Sequence, residues 1–294
     1  MDGILVIDKP EGITSHDVVA RLRRILKTKK IGHTGTLDPF ATGVMTVLIG
    51  KATRLAQFLD KDEKEYEATV RFGFETDTGD KTGSPKTKVP SPKSIAVEDI
   101  SRVLGQFIGE IMQTPPMYSA KKVEGNKLYE LARQGIEIER KSVKVTIKKL
   151  ELLDKEIAES LLRIRVCCSA GTYIRTLAED VARAAGGAAH LEALRRTASG
   201  KFGIDQAVSI EELQKHDEPT SYLLPIRTAV ESLPEFTLVS DRVEKTRNGM
   251  STRDLSNRFN DGETMQMIDK SGELIAIGYF IESEKVVQPK VVLS

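Results

Sequence analysis

IGHTGTLDPFATGVM, residues 31–45, gathers Gly32, His33, Gly35, Asp38, Pro39 and Gly43 into one short stretch. Such a mixture suits neither a helix interior nor a strand interior, so the whole segment is expected to form a shaped loop. Before it, Val18, Val19, Leu22, Ile25 and Leu26 recur at helical spacing, with Ser15 as the expected N-cap. After it, Val44 to Ile49 is a short β-branched run that reads as a buried strand. An acid and a histidine held between rigid elements suit chemistry. Asp before Pro also starts ordinary turns, and the residue types alone leave both readings open.

The 294 residues suffice for one large or two ordinary domains. With 39% hydrophobic and 30% charged residues, the composition is that of a mixed globular chain and excludes a disordered one. Asp8 and Lys9 interrupt the apolar start before a signal-peptide core forms, and no later apolar run approaches ~18 residues. A cytoplasmic protein with no membrane contact is therefore expected. Cys167 and Cys168 are adjacent in an expected strand, so they point to opposite faces and are poorly placed to bridge. His16, His33, His190 and His216 are scattered without metal-ligand spacing, and no metal is expected.

Net charge is +1, but it is unevenly spread: residues 231–294 hold 8 Lys and Arg against 11 Asp and Glu. Polyanion binding would have to rest on local patches. One candidate is Arg21, Arg23, Arg24, Lys27, Lys29 and Lys30, six cations within ten residues that contain no acid. A solvated helix face would look the same. Another is QTPPMYSAKKVEGNKLYELARQ, where Lys121, Lys122 and Lys127 surround Tyr118 and Tyr129. Basic residues interleaved with aromatics fit RNA contact and also fit an ordinary surface helix.

Further expectations follow from the pattern along the chain. Gly3 to Ile7, Glu65 to Phe72 with Tyr66, Val143 to Ile147 and Leu162 to Val166 read as strands, and Lys51 to Asp60 and Val97 to Ile108 as helices. Thr172 is the expected cap of a helix bearing Ile174, Leu177 and Val181, which puts Tyr173 and Arg175 in its first turn. A cation there is disfavoured by the helix dipole and calls for an anion, with Asp38 the candidate, unless water serves. Leu194-Arg195-Arg196 is expected to end a short helix, and Pro225 to Pro234 to form a linker. Beyond it, a short helix to Asn248-Gly249 and strands near Met265 to Ile268, Leu274 to Tyr279 and Val286 to Leu293 suggest a small β-rich unit. Strands outnumber βαβ alternation, which places the chain in the α+β class.

The segments DKPEGITSHDVV, GHTGTLDPFATG, KEYEATVRFG, PPMYSAKK, GTYIR and LRR, in this order, resemble the bacterial tRNA pseudouridine synthases of the TruB family. That resemblance implies a pseudouridine synthase fold, a bent, mixed and largely antiparallel sheet with helices, over residues 1–230. It further implies an RNA-gripping insertion around 80–140 and a PUA-like RNA-binding domain over 235–294. Its implied activity is isomerisation of uridine 55 in the T-loop of tRNA to pseudouridine, without metal or cofactor, by a monomer that binds the T-arm stem-loop. Asp38 would be the nucleophile and Arg175 its partner. His33 would occupy the position vacated by the flipped base, Tyr66 would stack on it, and Tyr173 and Leu194 would line its pocket. Lys9, Arg196 and Lys121 would support the site or touch RNA. Residues 76–95 and the acidic C-terminal region resemble the family least. The competing reading is a non-catalytic RNA-binding or tRNA-folding protein. The run GVMTVLIGK fails the spacing of a phosphate loop, and the motif segments offer no strong candidate for the second carboxylate of a hydrolytic glycosidase.

Overall fold

In the computed structural model, which describes residues 1–88, 97–119, 122–123, 125–153, 160–256 and 258–293, strands carry the architecture. The chain begins with β1 (Gly3–Lys9), α1 (Ser15–Ile25), β2 (Ile31–Thr34) and β3 (Thr42–Ile49). A 3-10 turn (Gly50–Leu55) leads to α2 (Ala56–Leu59), β4 (Lys64–Phe72), β5 (Phe74–Thr76) and β6 (Pro85–Lys88). Next come α3 (Val97–Gly105), β7 (Gly109–Gln113), β8 (Lys122–Val123), β9 (Asn126–Lys127) and α4 (Leu128–Arg133). Then follow β10 (Val143–Leu152), β11 (Leu161–Cys168), α5 (Ile174–Ala184), β12 (Ala189–Ser199), β13 (Phe202–Gly203), β14 (Val208–Ser209) and α6 (Ile210–Lys215). The C-terminal region holds β15 (Glu235–Thr237), α7 (Ser240–Arg247), β16 (Thr252–Arg253), β17 (Thr264–Ile268), β18 (Leu274–Ile281) and β19 (Val286–Val292).

The main sheet runs β14-β1-β3-β12-β4-β11-β10-β7, with β2 added on β3 and β13 on β12. Among the described strands of this sheet only β1–β14 and β3–β12 pair in parallel, so the sheet is mixed and largely antiparallel. Alternation decides which face is which: Lys64, Tyr66, Ala68, Val70 and Phe72 of β4 are buried while the residues between them are half-buried. That buried face packs on Ile174, Leu177, Ala178 and Val181 of α5 and on Ile100 and Leu104 of α3. The opposite face of the same strands carries ion pairs, Arg71 with Glu192 and Arg165 with Glu67.

β1 is buried on both sides. Leu5 and Ile7 face Val18, Val19 and Leu22 of α1, whereas Ile4 and Val6 share a core with Leu55, Leu59, Val230, Ile268, Leu274, Ile277 and Leu293. The separate five-stranded sheet β15-β17-β18-β19-β16 is therefore packed onto the main sheet through the first strand.

Several expectations need correction. Residues 31–45 are not one loop: β2 and β3 pair antiparallel from Ile31–Ile49 to Thr34–Thr46, leaving only 35–41 as loop, because strand pairing overrides the weak preferences of Gly32 and Gly43. Thr14, not Ser15, caps α1: its Oγ1 accepts from Asp17 N while Asp17 Oδ2 accepts from Thr14 N. Thr172 does not cap α5, since its hydroxyl donates to Ser169 O; Tyr173 holds the N-cap position, just before the first turn that carries Arg175. Leu194-Arg195-Arg196 belongs to strand β12, not to a helix end, because β12 fills the gap between β3 and β4. Lys51 to Asp60 is helical as expected, but split into a 3-10 helix, Gly50–Leu55, and a single α-turn, Ala56–Leu59. The expected linker is built into the fold: Leu224 exchanges two backbone hydrogen bonds with Ile4, and Ala229 and Val230 are buried. Both cysteines are free, Cys168 buried and Cys167 half-buried, as their alternation in β11 requires.

Candidate active site

Ser15 and Lys9 shape the 35–41 loop from below. The Ser15 hydroxyl accepts from Leu37 N at 2.9 Å and donates to Leu37 O at 3.2 Å, closing both polar groups of the residue before Asp38. The fully buried Lys9 ammonium donates to the carbonyls of Pro10 (3.0 Å), Pro39 (3.2 Å) and Ala41 (2.7 Å). All three of its N–H groups thus have acceptors. Burial pushes the Lys9 ammonium down to about 8. Leu37, Phe40 and Ala41 point into the core beneath.

Arg196 holds the loop from β12. Its Nε donates to Val44 O at 2.6 Å and its Nη2 to Gly35 O at 3.0 Å, so one guanidinium ties the start of the loop to the strand that follows it. Gly43 lets the strands approach: with φ of 101°, a Cβ there would overlap the backbone of Arg196.

Asp38 projects from this braced loop into a cavity of about 250 Å³, lined also by Lys64, Tyr66, Tyr173, Arg175, Leu194 and Arg196. Its side chain is 35% exposed, whereas Arg175 is only 5% exposed. Arg175 meets the carboxylate with a two-point fork, Nε to Oδ2 at 3.0 Å and Nη2 to Oδ1 at 3.4 Å. The fork is itself held, by Nη1 donating to Thr78 O at 2.7 Å and Nη2 to Tyr118 O at 2.6 Å. The anion called for by the first turn of α5 is thus Asp38. Burial raises the Asp38 carboxyl above its ordinary value, and the charges of Arg175 and Lys9 oppose that rise.

A second carboxylate, buried Asp80, adds to the rise; its Oδ2 lies 3.8 Å from Arg175 Nη1. Asp80 Oδ1 accepts from Thr78 Oγ1 (3.0 Å), Thr82 N (2.9 Å) and Thr82 Oγ1 (2.5 Å). Sequence reasoning missed it, although it lies in the stretch that resembles the family least. The run TDTGD offered a signal, since an Asp flanked by Thr hydroxyls makes a turn that can fix a carboxylate in place. Gln113 was missed as well: fully buried on β7, it accepts from Tyr173 N at 3.0 Å and donates to Tyr173 O at 3.3 Å, fixing the backbone of a cavity residue.

Tyr66 is buried against the cavity, and burial raises its hydroxyl above its ordinary value. Tyr173 and Leu194 also line the cavity. His33 does not; it sits on β2, edge-on to His16 with ring centroids 6.0 Å apart, and burial lowers its pKa. Lys121 lies outside the described residues. Among the described residues, no group of three or more His, Cys, Asp or Glu is arranged to hold a metal ion. A carboxylate beside a guanidinium, in a pocket with an aromatic wall, can attack an electrophilic carbon of a planar ring or of its sugar.

Comparison with known proteins gives this geometry a context. Residues 23–174 match the profile "TruB family pseudouridylate synthase (N terminal domain)", and residues 175–231 match "tRNA pseudouridylate synthase B C-terminal domain". The chain is 44% identical over 282 residues to tRNA pseudouridine synthase B of Solibacter usitatus, covering 95% of each chain. It is 39% identical to the protein of that name from Bacillus subtilis, covering 95% of this chain and 93% of the relative. Among solved structures, a Cbf5-Nop10-Gar1 complex contains a chain that is 28% identical, with a TM-score of 0.74 over 99% of this chain and 85% of that one. A similar chain, 25% identical with the same TM-score and coverage, occurs in an H/ACA RNP bound to a substrate RNA containing 2'-deoxyuridine.

Proposed function

Because the chain belongs to the TruB family of pseudouridylate synthases, we propose that it isomerises uridine 55 in the T-loop of tRNA to pseudouridine, with Asp38 as nucleophile. The observation that carries this reading is the Asp38 carboxylate, held by the Arg175 fork inside a cavity of about 250 Å³ that also holds Tyr66. The reaction breaks C1′–N1, turns the base and joins C1′ to C5, and it needs an ionised carboxylate against the nucleotide. Arg175 keeps Asp38 oriented and opposes the effect of its burial. Asp38 attacks either C1′ of the ribose or C6 of the uracil.

A stacked uridine must leave its helix to reach this cavity. In this reading Tyr66 stacks on the flipped base, Tyr173 and Leu194 line its pocket, and His33, outside the cavity, occupies the vacated place in the RNA. Residues 1–230 form the catalytic domain, and the 235–294 sheet serves as a PUA-like RNA-binding unit. The partner is the T-arm stem-loop and the active form is a monomer. Arg21, Arg23, Arg24, Lys27, Lys29 and Lys30, on α1 and the turn after it, make no ion pair with a described residue and remain available to phosphates.

The test is tritium release from a T-arm transcript labelled at uracil C5, comparing wild type with Asp38→Asn. Release by wild type alone, with the product mapped to position 55, is the expected outcome. Tight RNA binding by both proteins without release would favour the non-catalytic RNA-binding reading.

A further inference from the structure

Besides Arg175, the cavity wall carries two further cations. Lys64 is 5% and Arg196 1% exposed, both line the cavity, and neither makes an ion pair with any described residue. They meet at Gly35, where a Cβ would lie 3.2 Å from Arg196 Nη1 and 3.5 Å from Lys64 Cε. Arg196 uses Nε and Nη2 on backbone carbonyls, and beside its guanidinium on the cavity side stands the Tyr66 hydroxyl, a neutral group. Lys64 Nζ donates to Asp62 O at 2.9 Å and distantly to Leu59 O at 3.5 Å, which leaves one N–H without an acceptor among the described residues. The buried ammonium of Lys9 differs. That ammonium has three carbonyls for three N–H groups and is complete as a structural clamp. Lys64 has an incomplete set, faces a cavity, and lies two residues from Tyr66 on the same face of β4.

Buried cationic donors with no carboxylate at ion-pair distance form a subsite for negative charge, and Asp60, which also lines the cavity, and Asp62 act on Lys64 only from farther away. Phosphodiesters stay near the mouth of such a site, whereas a flipped base enters it. On the isomerase reading given above, on which this inference rests, we propose that Lys64 is a catalytic residue that, beside Arg196, stabilises the negative charge developing on the uracil ring during the reaction.

That charge arises on either route. If Asp38 attacks C1′, a C1′–O bond forms while the C1′–N1 pair leaves with the base, giving a uracil anion with charge on N1 and the carbonyl oxygens. If Asp38 attacks C6, a C6–O bond forms while the C5–C6 π pair moves toward C4 and leaves the charge on O4 as an enolate. The charge is then returned: C5 bonds to C1′, displacing the Asp38 carboxylate on the first route or N1 with its electron pair on the second; the C5 hydrogen leaves as a proton, N1 gains a proton, and on the second route the C6–O bond breaks to release Asp38. No oxidant or reductant is required. Donors fixed in place before the charge appears are worth most in a site shielded from water.

The burial that makes the ammonium useful also brings it down to about 8, with Arg196 adding to the fall and Asp60, Asp62 and Cys168 opposing it. The test is the single-turnover rate of tritium release and the RNA dissociation constant, measured from pH 6 to 10 for wild type, Lys64→Met and Lys64→Arg, with circular dichroism to establish folding. Loss of one such donor costs roughly 100-fold or more in rate, which is the fall expected for Lys64→Met at pH 7 with the dissociation constant within about 3-fold of wild type. Above pH ~8 both Lys64 and the Lys9 clamp lose their protons, so the wild-type rate should fall with two deprotonations; Lys64→Arg, whose side chain stays charged, should keep only the shallower Lys9 part of that limb and recover the rate in part. A folded Lys64→Met within about 3-fold of the wild-type rate overturns the proposal, as does weakened binding with an unchanged single-turnover rate. Should Lys64→Met not fold, a Lys64→Arg variant that keeps the full wild-type alkaline limb overturns it. An inactive wild type would sink the isomerase reading itself, whereas an active wild type beside an active Lys64→Met sinks only this inference.

Discussion

Asp38, Arg175 and Asp80 form a chain of alternating charge in which the middle member holds the first in place and opposes the effect of its burial. Arg175 spends its fork on Asp38 and the rest of its donors on Thr78 O and Tyr118 O, so a lysine in its place would keep the charge but lose the two-point hold. Arg175→Lys should lower single-turnover tritium release by ~100-fold, the scale of a misplaced reacting group, and undiminished release would refute the positioning role. The pH dependence has a definite sign. The carboxyl of Asp38 is raised by burial and by Asp80, so its ionised fraction, and with it the rate, should fall on acidification at a pH above the ordinary carboxylate range. Asp80→Asn removes one of the two raising influences, and the acid limb of its rate profile should shift to lower pH, even if the maximal rate drops because Arg175 is less well held. An unshifted limb would mean that Asp38 does not govern it. Asp38 and its partner were legible from the sequence, one as an acid in a loop between rigid elements and the other as a cation where the α5 dipole disfavours it. Asp80 was not, because its role depends on a turn folding back over α5, which no local pattern encodes.

β12 is the element that the sequence disguised. HLEALRR has residues of good helix propensity, but the segment lies between β3 and β4 and takes the strand conformation its neighbours impose. By contrast β4 and β11, each with one apolar face, were legible from alternation alone. The error matters because strand geometry is what lets Arg196 reach both Gly35 and Val44 across one pairing. Two substitutions probe that brace. Gly43→Ala forces a Cβ into the backbone of Arg196 at a left-handed position and should destabilise the fold by about 2 kcal/mol or more, measured by urea denaturation. Lys9→Met strands three carbonyls, two of them in the Asp38 loop, and should cost about 1–3 kcal/mol for each left unsatisfied, less whatever water can reach them. A Lys9→Met protein as stable as wild type would show that the clamp is dispensable.

Across the whole molecule, charge and packing divide the labour. The net charge is almost zero, yet the cations on α1 and the turn after it have no ion-pair partner among the described residues. Reversing two of them, Arg23→Glu with Arg24→Glu, should weaken T-arm binding and lower the slope of log affinity against log salt by about 1 for each phosphate no longer neutralised; an unchanged slope would mean that RNA avoids this face. The C-terminal sheet was expected beyond a linker, and its strands fell close to where alternation and turn residues put them, but the linker sends Ala229 and Val230 into the core. Sequence patterns report which residues are apolar, not which distant element they meet. A chain ending at residue 230 would expose Ile4, Val6, Leu55 and Leu59, so it should melt lower than the full chain and bind a hydrophobic dye. The same packing has a consequence for how the protein is born. β1 leaves the ribosome more than 200 residues ahead of several of its partners: it pairs with Val208 and Ser209 and with Leu224, and its Ile4 and Val6 share a core with Leu293. At ~20 residues per second the nascent chain must carry that apolar strand unfinished for on the order of 15 s, a window in which holdase chaperones would find their substrate.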